Sequence, residues 1–438
     1  MSSKRIIGVE ERVPAAQLIP LSIQHVFAMF GASVLVPILF GISSGIVLFM
    51  NGVGTLLFIF LTKGKAPAYL GSSFAFLAPA SVIIAEKGFE YAQGGFVVVG
   101  LLGCVLAFVI YKCGTAWIDV VLPPAAMGPV VALIGLELAS NTVKGGAIGA
   151  DLMTVNPAGG LMLSPTISWR HILVFAVTLL MAVFGSVLFR KFLSVIPLLV
   201  AMVVGYLTAL AVGLMDFSAF AGITMNPATW LRVPAFHLAK FDLNAIATMV
   251  PVLLVITAEH VGHQIVTGNI VGRDLIKDPG LHRSLLGDDL STAISGLIGS
   301  VPTTTYGENI GVMAVTGVYS VQVIAGAAVI SILMAFIGPL SAFIATIPGD
   351  VIGGITFLLY GMIGTSGLRI LVDNRVDYGR NRNMILTSVI FVTGLSGVTL
   401  QMGNVSLSGM TLAAIVGMLL SLLLFAFDKL HLTNDLAE

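Results

Sequence analysis

An unneutralised carboxylate is the first candidate for chemistry in this chain. Glu308 lies in the polar run 303–311 (Thr-Thr-Thr-Tyr-Gly-Glu-Asn-Ile-Gly), and no Lys or Arg lies within 20 residues of it. At membrane depth an ionisable side chain costs about 2.5–3.5 kcal/mol, so it marks a functional site by default. The threonines, the glycines and Pro302 disfavour a continuous helix, and irregular backbone persists in a bilayer only where it is buried in protein or lines a cavity. The run therefore predicts a polar cavity inside a membrane protein.

A carboxylate and an imidazole form the second candidate. Glu259 and His263 are four residues apart and share one helix face, whereas His260 is turned about 100° away. Burial disfavours the charged form of both groups, so a Glu–His pair near Glu308 could exchange protons near neutral pH. The alternative is a pair that only ties two helices together. For His260 and His25 we predict packed, hydrogen-bonded histidines.

The two acidic side chains also limit the ligand. Ionised carboxylates only accept hydrogen bonds, so Glu259 and Glu308 require a ligand with N–H groups. Phe74 and, opposite it, Tyr306 could stack on a flat ring, although Phe74 could equally be a core residue. Together these groups indicate a small planar lactam such as a nucleobase.

Composition fixes the class of protein. Of 438 residues, 57% are hydrophobic and only 10% are charged, against about 25% charged in soluble proteins. The chain is predicted to be an all-α polytopic membrane protein. The net charge of +0 argues against a nucleic-acid partner. Cys104 and Cys113 suggest neither a disulfide framework nor a metal site, and no cofactor is expected.

Fourteen segments are long enough to be membrane spans, which need about 20 apolar residues each. The third and the tenth differ from the others, because each begins with a polar, Gly-containing stretch. We expect helices to start there, near Ser72 or Ser73 and near Glu308 or Asn309, and to offer free backbone N–H groups to carbonyl oxygens. The alternative for the side chains of Ser73 and Asn309 is simple N-capping. The predicted spans are 16–40, 45–62, 67–86, 92–111, 115–139, 171–189, 193–215, 245–264, 286–301, 303–318, 320–345, 348–368, 384–401 and 408–427.

Basic residues are unevenly distributed between the two sides that these spans define. Most of the 21 Lys and Arg residues fall on the side of the N-terminus, and basic residues mark cytoplasmic loops. Both termini are therefore predicted to be cytoplasmic, and no signal peptide is expected at the N-terminus. The other side receives Lys87, Lys144, Arg170, Arg232 and Lys240.

The two halves of the chain resemble each other. Residues 24–28 (Gln-His-Val-Phe-Ala) and 259–263 (Glu-His-Val-Gly-His) lie at nearly the same offset as the two broken spans. Pro123, Gly128 and Gly135 in the fifth span correspond to Pro348, Gly353 and Gly361 in the twelfth. Two halves of seven spans must be inverted relative to each other, and inverted repeats with matched broken helices are typical of secondary transporters. Chance recurrence of Gly and Pro is the alternative.

These motifs are similar to those of one known family. Residues 308–317 resemble the signature of the nucleobase–ascorbate transporter family, Gln/Glu-Asn-x-Gly followed after four residues by Thr. Residues 24–32, 68–76 and 258–263 also resemble its bacterial members, and the likeness extends from about Ile7 to Lys429. The resemblance implies a uracil:proton symporter of a bacterial inner membrane that works by alternating access, with Gly-rich fifth and twelfth spans as low-friction surfaces. Gln commonly replaces Glu308 in purine-transporting relatives, which favours uracil.

The resemblance also implies an architecture and roles. Fourteen spans in two inverted repeats would form a core and a gate domain, with short strands in spans 3 and 10 and a homodimer through gate domains in contact with membrane lipid. Uracil would be held by the side chains of Glu259 and Glu308 and the backbone at Phe74 and Gly307, with His263 in proton coupling. The implied parts are a cytoplasmic N-terminus (1–15), core spans 1–4 (16–111), gate spans 5–7 (112–244), core spans 8–11 (245–345), gate spans 12–14 (346–429) and a cytoplasmic tail (430–438).

Three alternatives remain at this point. One is a xanthine or other purine symporter of the same family. Another is an intramembrane metal-dependent hydrolase using Glu259, His260 and His263, which is disfavoured because the order Glu-His-x-x-His differs from the expected His-Glu-x-x-His. A channel is the third, and matched broken helices argue against it because they indicate a closed central site.

Overall fold

Helices make up most of the chain in the structure, a computed structural model that describes residues 6–145, 153–155, 161–163, 167–215, 230–402 and 405–433. The helices of the first half are α1 (Ala15–Phe40), α2 (Ser44–Leu61), α3 (Leu77–Lys87), α4 (Phe89–Cys113), α5 (Ile118–Val121), α6 (Pro124–Gly145), α7 (Trp169–Leu188) and α8 (Pro197–Ala211). Those of the second half are α9 (Leu243–Met249), α10 (Val252–Val271), α11 (Leu281–Ile298), α12 (Gly307–Thr316), α13 (Val321–Ala335), α14 (Gly338–Ala345), α15 (Gly349–Asp373), α16 (Asn381–Leu395) and α17 (Gly409–Lys429).

Among the described residues, seven helical stretches are long and apolar enough to cross a membrane, and three further apolar helices are shorter. Two predicted spans are divided. The eighth consists of α9 and α10, separated at Pro251, and α10 continues beyond the predicted end at residue 264 until Gly272 adopts the left-handed conformation (φ 70°). The eleventh consists of α13 and α14, and a non-helical residue, Ile337, precedes α14.

Within the described residues, short strands interrupt the helical array in three places. Strand β1 (Leu70–Ser72) pairs antiparallel with β4 (Thr303–Thr305), which confirms the strands predicted in spans 3 and 10. Two hairpins were not predicted, and they correct the all-α expectation. The hairpins are β2 (Met153–Val155) with β3 (Leu161–Leu163) and β5 (Thr399–Met402) with β6 (Val405–Ser408). Strand β5 replaces the end of the predicted thirteenth span, because α16 stops before Gly397 (φ 73°) and the β-branched Val398 and Thr399 follow.

Helix packing exchanges partners between the two halves. Helix α2 of the first half packs against α13 of the second half. In the same way α11 of the second half packs against α4 of the first half. Likewise α7 pairs with α8 and α16 with α17, while α6 and α15 pack against each other. Glycines permit the close approaches: Cβ atoms added to Gly52 or Gly100 would lie 2.5 Å from the backbone of α13 or α11.

The glycines of the fifth and twelfth spans contact one another. A Cβ on Gly135 would overlap the carbonyl of Tyr360, and a Cβ on Gly367 would overlap the backbone of Ala132. At these positions the backbones of α6 and α15 are therefore in direct contact. Both helices belong to the same predicted gate domain. Gly135 and Gly367 thus pack within the predicted gate domain, and the role of the Gly-rich spans as a surface between the domains stays a prediction.

The N-terminal segment is bound across the predicted cytoplasmic end. The Ile7 N–H donates to the Gly317 carbonyl at 2.9 Å, and the Val321 N–H donates to the Val9 carbonyl at 2.9 Å. Arg273 donates two hydrogen bonds to Glu10, at 2.5 and 2.6 Å, which hold the pKa of that carboxyl below its ordinary value. The segment thus joins the ends of α10 and α12 to the chain that leads into α1.

We predict that the α6–α15 contact tolerates no methyl group at Gly135. Gly135→Ala should lower stability by about 1–3 kcal/mol, the usual cost of overpacking, because the new Cβ would meet rigid backbone. Gly361→Ala on the facing helix is the matched control, since nothing lies within 4 Å of its Cβ position and Ala favours a helix by about 1 kcal/mol over Gly. Thermal unfolding in detergent measures both variants. Equal melting temperatures would contradict the close contact.

Candidate functional site

The β1–β4 pair lies where the two broken spans meet. All six strand residues are buried, and the ladder is extended at one end by Ser73 N–H to the Pro302 carbonyl (2.8 Å) and at the other by Tyr306 N–H to the Tyr69 carbonyl (2.9 Å). Strand β1 leads into a 3₁₀ turn, Phe74–Phe76, and then α3, whereas β4 leads directly into α12. The two half-helices therefore start side by side.

Threonines of neighbouring helices support each strand in the same way. On α2, the Thr55 hydroxyl accepts a hydrogen bond from the Leu70 N–H at 2.9 Å. On α11, the Thr292 hydroxyl accepts from the Thr303 N–H at 3.1 Å and donates to the Thr303 carbonyl at 2.9 Å. Strand N–H and carbonyl groups that lack a partner in the β1–β4 pair are thus hydrogen-bonded to threonine hydroxyls. Inside a bilayer each such group needs a partner within the protein.

Helix α10 brings the predicted titratable pair to this strand junction. His263 Nδ1 and Thr305 Oγ1 are hydrogen-bonded at 2.9 Å, and a Cβ on Gly307 would lie 3.7 Å from His263 Nε2. Glu308 lies in the first turn of α12, where the helix dipole favours a negative charge. Glu259 is close enough to Glu308 for the two carboxylates to interact electrostatically.

The predicted site residues differ from their neighbours in exposure. Gly307 is exposed, and the side chains of Phe74, Glu259, His263 and Glu308 are half-buried. Residues that flank them in sequence, such as Ala258, Ser73 and Asn309, are buried. The 3₁₀ turn at Phe74 packs against α10. The five residues thus lie around the start of α12, and none of them is fully buried.

Tyr306 does not share this exposure. Its side chain is 3% exposed, its ring covers Gly71 so closely that a Cβ there would overlap it, and its hydroxyl is 3.4 Å from the Ser33 hydroxyl. This corrects the prediction that Tyr306 stacks on a ligand opposite Phe74. The ring fills the space above β1 and supports the strand pair.

Neither Ser73 nor Asn309 caps a helix with its side chain. Helix α12 begins at Gly307 with Tyr306 as the N-cap residue and no side-chain cap, and the Ser73 side chain makes no cap hydrogen bond either. Asn309 Nδ2 instead donates to the His25 carbonyl at 3.0 Å and lies 3.1 Å from His25 Nδ1. The packed histidine predicted at position 25 is confirmed, and Asn309 ties α12 to α1.

His260 is also a packed, hydrogen-bonded residue, as predicted. Its Nδ1 lies 2.9 Å from Asp288 Oδ2 and its Nε2 lies 3.0 Å from Ser284 Oγ, so both ring nitrogens are engaged. His260 therefore has no nitrogen free to ligate a metal with Glu259 and His263. Among the described residues, no group of three or more His, Cys, Asp or Glu side chains could hold a metal ion.

Two buried carboxylates on α11 escaped the sequence prediction. Asp288 bonds His260 and is near enough to Glu259 to interact with it, and Asp289 occupies the space that a Cβ on Gly103 would need. The signal was available, because both carboxylates lie within an apolar span, which is the argument applied to Glu308. The predicted start of this span at residue 286 placed them near its end, where charged side chains are common.

The sequence of this chain matches one known protein family. The sequence profile of the permease family matches residues 16–403. The chain belongs to the permease family. It is therefore a membrane transporter and not an enzyme, as predicted, and the apolar helices make it a multi-pass membrane protein.

Curated relatives resemble the chain over nearly its whole length. A uracil permease of Paenibacillus larvae is 49% identical over 435 residues, covering 98% of this chain and 99% of the relative. A uracil permease of Escherichia coli K12 is 50% identical over 421 residues (96% and 94%). A uracil permease of Bacillus subtilis is 44% identical over 433 residues (97% and 96%).

Solved structures show the same fold at low sequence identity. The transmembrane domain of the cyanobacterial bicarbonate transporter BicA superposes with a TM-score of 0.60 at 14% identity, covering 95% of this chain and 100% of that domain. The murine anion transporter Slc26a9 in its inward-facing state gives 0.68 at 9% identity, covering 95% and 69%. The mostly helical architecture is therefore that of these membrane transporters.

We predict that Tyr306 contributes to stability through its ring. Tyr306→Phe keeps the ring over Gly71 and should cost about 0.5–1.5 kcal/mol, the value of one hydrogen bond. Tyr306→Ala should cost about 3–5 kcal/mol, because it leaves a cavity. Thermal unfolding of both variants, together with transport by Tyr306→Phe, tests this. Normal stability with abolished transport in Tyr306→Phe would instead make the hydroxyl a ligand contact.

Proposed function

We propose that the protein imports uracil together with protons across a bacterial inner membrane. The observation that carries the proposal is the pair of half-buried carboxylates, Glu259 and Glu308, at the junction of two half-helices. Relatives named uracil permeases, up to 50% identical along the chain, support the substrate. Uracil is planar and carries both N–H groups and carbonyl oxygens, which are the groups this site complements.

In the proposed complex, each group of uracil has a partner in the site. Glu259 and Glu308 accept hydrogen bonds from the ring N–H groups. Phe74 and Gly307 are the first residues of the 3₁₀ turn and of α12, where backbone N–H groups have no partner within the helix, so they donate to the carbonyl oxygens. The half-buried Phe74 ring stacks on one face of the base, and Tyr306 acts indirectly by holding β4.

His263 and Glu259 are the proposed proton-coupling groups. Their four-residue spacing on α10 lets them exchange a proton on one helix face. Thr305 orients the His263 ring through Nδ1, which leaves Nε2 on the side of Gly307, where the substrate would lie. Loading one proton together with neutral uracil would lower the negative charge of the two carboxylates from two to one before the loaded protein changes conformation.

We further propose fourteen spans in two inverted repeats of seven, with both termini in the cytoplasm. The exchange of helix partners between the halves and the mirrored roles of Thr55 and Thr292 support the repeat. The core domain would comprise 16–111 and 245–345, and the gate domain 112–244 and 346–429. Alternating access then follows from movement of one domain against the other.

A homodimer through the gate domains completes the proposed architecture. Helices α7 and α15 leave an apolar groove on the gate domain, bordered by Leu180, Val183, Phe357 and Met362. Three of these side chains, those of Leu180, Phe357 and Met362, are exposed. In a monomer this face would contact only membrane lipid.

A xanthine or purine symporter is the second candidate within the family. The pyrimidine ring of xanthine carries the same two N–H groups and carbonyl oxygens as uracil, so the carboxylates alone do not separate the two ligands. The larger purine ring system would need more room beside Phe74. Uptake of labelled uracil in the presence of excess xanthine separates the two, because inhibition by xanthine would favour the purine assignment.

We predict that uptake is concentrative and electrogenic. Uracil is neutral at physiological pH, so each cotransported proton moves one charge, which yields about 2.3 kcal/mol per 100 mV, or roughly fifty-fold accumulation. An uncoupler should abolish concentrative uptake into vesicles and leave exchange of internal for external uracil intact. Uptake that persists with the uncoupler and follows a sodium gradient would contradict proton coupling and assign Glu259 and His263 to helix pairing.

We predict that Glu308→Gln weakens uracil binding without unfolding the protein. The substitution removes a charge-assisted acceptor worth about 1.5–3 kcal/mol, which is roughly a ten- to hundred-fold loss of affinity. Glu86→Gln, at an exposed position on α3, is the matched control and should bind normally. Calorimetry on folded protein measures both, and unaltered affinity in Glu308→Gln would remove this residue from the site.

A further inference from the structure

Helix α4 carries an apolar stripe that ends in a basic residue. Leu101, Val105 and Phe108 are 52%, 58% and 60% exposed, and with Lys112 their spacing of four, three and four residues places them on one helix face. Lys112 lies on the side that the proposed topology assigns to the cytoplasm. Along this stripe the protein surface suits acyl chains, and at its end it suits a negatively charged group.

Two more basic side chains join Lys112 from the start of α11. The His282 ring is 5.0 Å from the Tyr111 ring, between their centroids, and Lys112 Nζ is 5.4 Å from the centroid of the same Tyr111 ring. Arg283 follows His282 in sequence, and its guanidinium donates to the Leu61 carbonyl at 3.4 Å. His282 and Lys112, from two helices, therefore lie against one aromatic ring, and Arg283 beside His282 in sequence bonds the end of α2.

None of these three basic residues makes an ion pair with a described carboxylate. The nearby basic side chains that do have partners are Lys65, paired with Asp278 at 2.7 Å, and Arg273, paired with Glu10. The first turn of α11 carries no acidic residue, although acidic residues are favoured there. In the cluster of Lys112, His282 and Arg283, the lysine and the arginine thus carry positive charge that no described carboxylate balances in an ion pair. Burial and the neighbouring Arg283 lower the pKa of His282, so its ring is a hydrogen-bonding group of the cluster and not a fixed charge.

The His282 ring is held in place, which makes the cluster more than a set of mobile surface side chains. One side of the ring meets Tyr111, and its Cε1 would lie 2.6 Å from a Cβ on Gly280, so it lies directly over that glycine. Trp117, which packs against the same helix ends, and Tyr111 are residue types that concentrate at the level of lipid head groups. These aromatic side chains are consistent with a position at the membrane interface, where lipid phosphates lie.

We propose that this cluster binds the phosphate of an anionic phospholipid, with the acyl chains along the α4 stripe. Basic sites between transmembrane helices on the cytoplasmic side are a recognised way to bind such lipids. The lipid would bridge α4 and α11, two core-domain helices in close contact through Gly100. The proposal rests on the membrane-spanning fold and is independent of the transported substrate.

The chain contains its own control for simple interfacial anchoring. Lys429 lies 5.5 Å from the Phe425 ring centroid near the end of α17, and Lys112 lies 5.7 Å from the Phe108 ring centroid near the end of α4. Each lysine is four residues beyond its phenylalanine. Lys429 follows Asp428, which is paired with Arg382, so its surroundings include an acidic residue. A general effect of an interfacial lysine would appear equally at both positions.

Lipid retention by the full-length protein tests the proposal. Native mass spectrometry after reconstitution in phosphatidylcholine nanodiscs, with and without phosphatidylglycerol, gives the preference for the anionic lipid. We expect the wild type and Lys429→Gln to retain phosphatidylglycerol preferentially. Lys112→Gln and His282→Gln should each reduce that preference, by about fivefold for Lys112, the usual contribution of one basic residue at a membrane surface.

Three outcomes would overturn the proposal. The first is an unchanged preference in both Lys112→Gln and His282→Gln, and the second is an equal loss of preference in Lys429→Gln. The third is a melting-temperature increase produced by soluble glycerol phosphate in phosphatidylcholine nanodiscs that equals the increase from phosphatidylglycerol, which would assign the site to a free phosphate. Because Arg283 also bonds the Leu61 carbonyl, Arg283→Lys is used in place of a neutral variant and should retain the preference.

Discussion

Every polar backbone group inside a bilayer must find a partner within the protein, and this requirement shapes the centre of the molecule. Two spans are broken there, and their exposed N–H and carbonyl groups satisfy each other in the β1–β4 ladder. The remaining strand backbone is bonded by the hydroxyls of Thr55 and Thr292. The ladder is thus the element that permits two half-helices to start in the membrane interior.

The chemistry of the proposed site depends on that ladder. Because β4 ends at Thr305, Glu308 falls in the first turn of α12, and Thr305 also holds the His263 ring. Transporters described for bicarbonate and for anions share the fold at 14% and 9% identity. In this chain two carboxylates at the junction oppose an anionic ligand by like-charge repulsion. The fold supplies the junction, and the local side chains decide what it can bind.

The sequence was informative wherever a local rule applied. The polar run with Pro302 and Gly307 predicted a broken span, and the strands confirm it. Tyr306 was misassigned because its neighbour, Gly71, is distant in sequence, and no local pattern shows that a ring fills the space above a particular glycine. Asp288 was missed for a local reason, because the span was predicted to start at residue 286, whereas α11 begins at Leu281 and holds the carboxylate in its interior. A distant contact and a misplaced span boundary explain these differences.

The order of synthesis gives the ladder a further consequence. Strand β1 leaves the ribosome long before β4, and at about 5–20 residues per second the delay is on the order of ten seconds or more. During that time the backbone of Leu70–Ser72 has no strand partner. The first half of the protein must therefore remain beside the insertion machinery, or in a hydrated pocket, until the second half arrives. The folding of the first half is thus completed only when β4 of the second half pairs with β1.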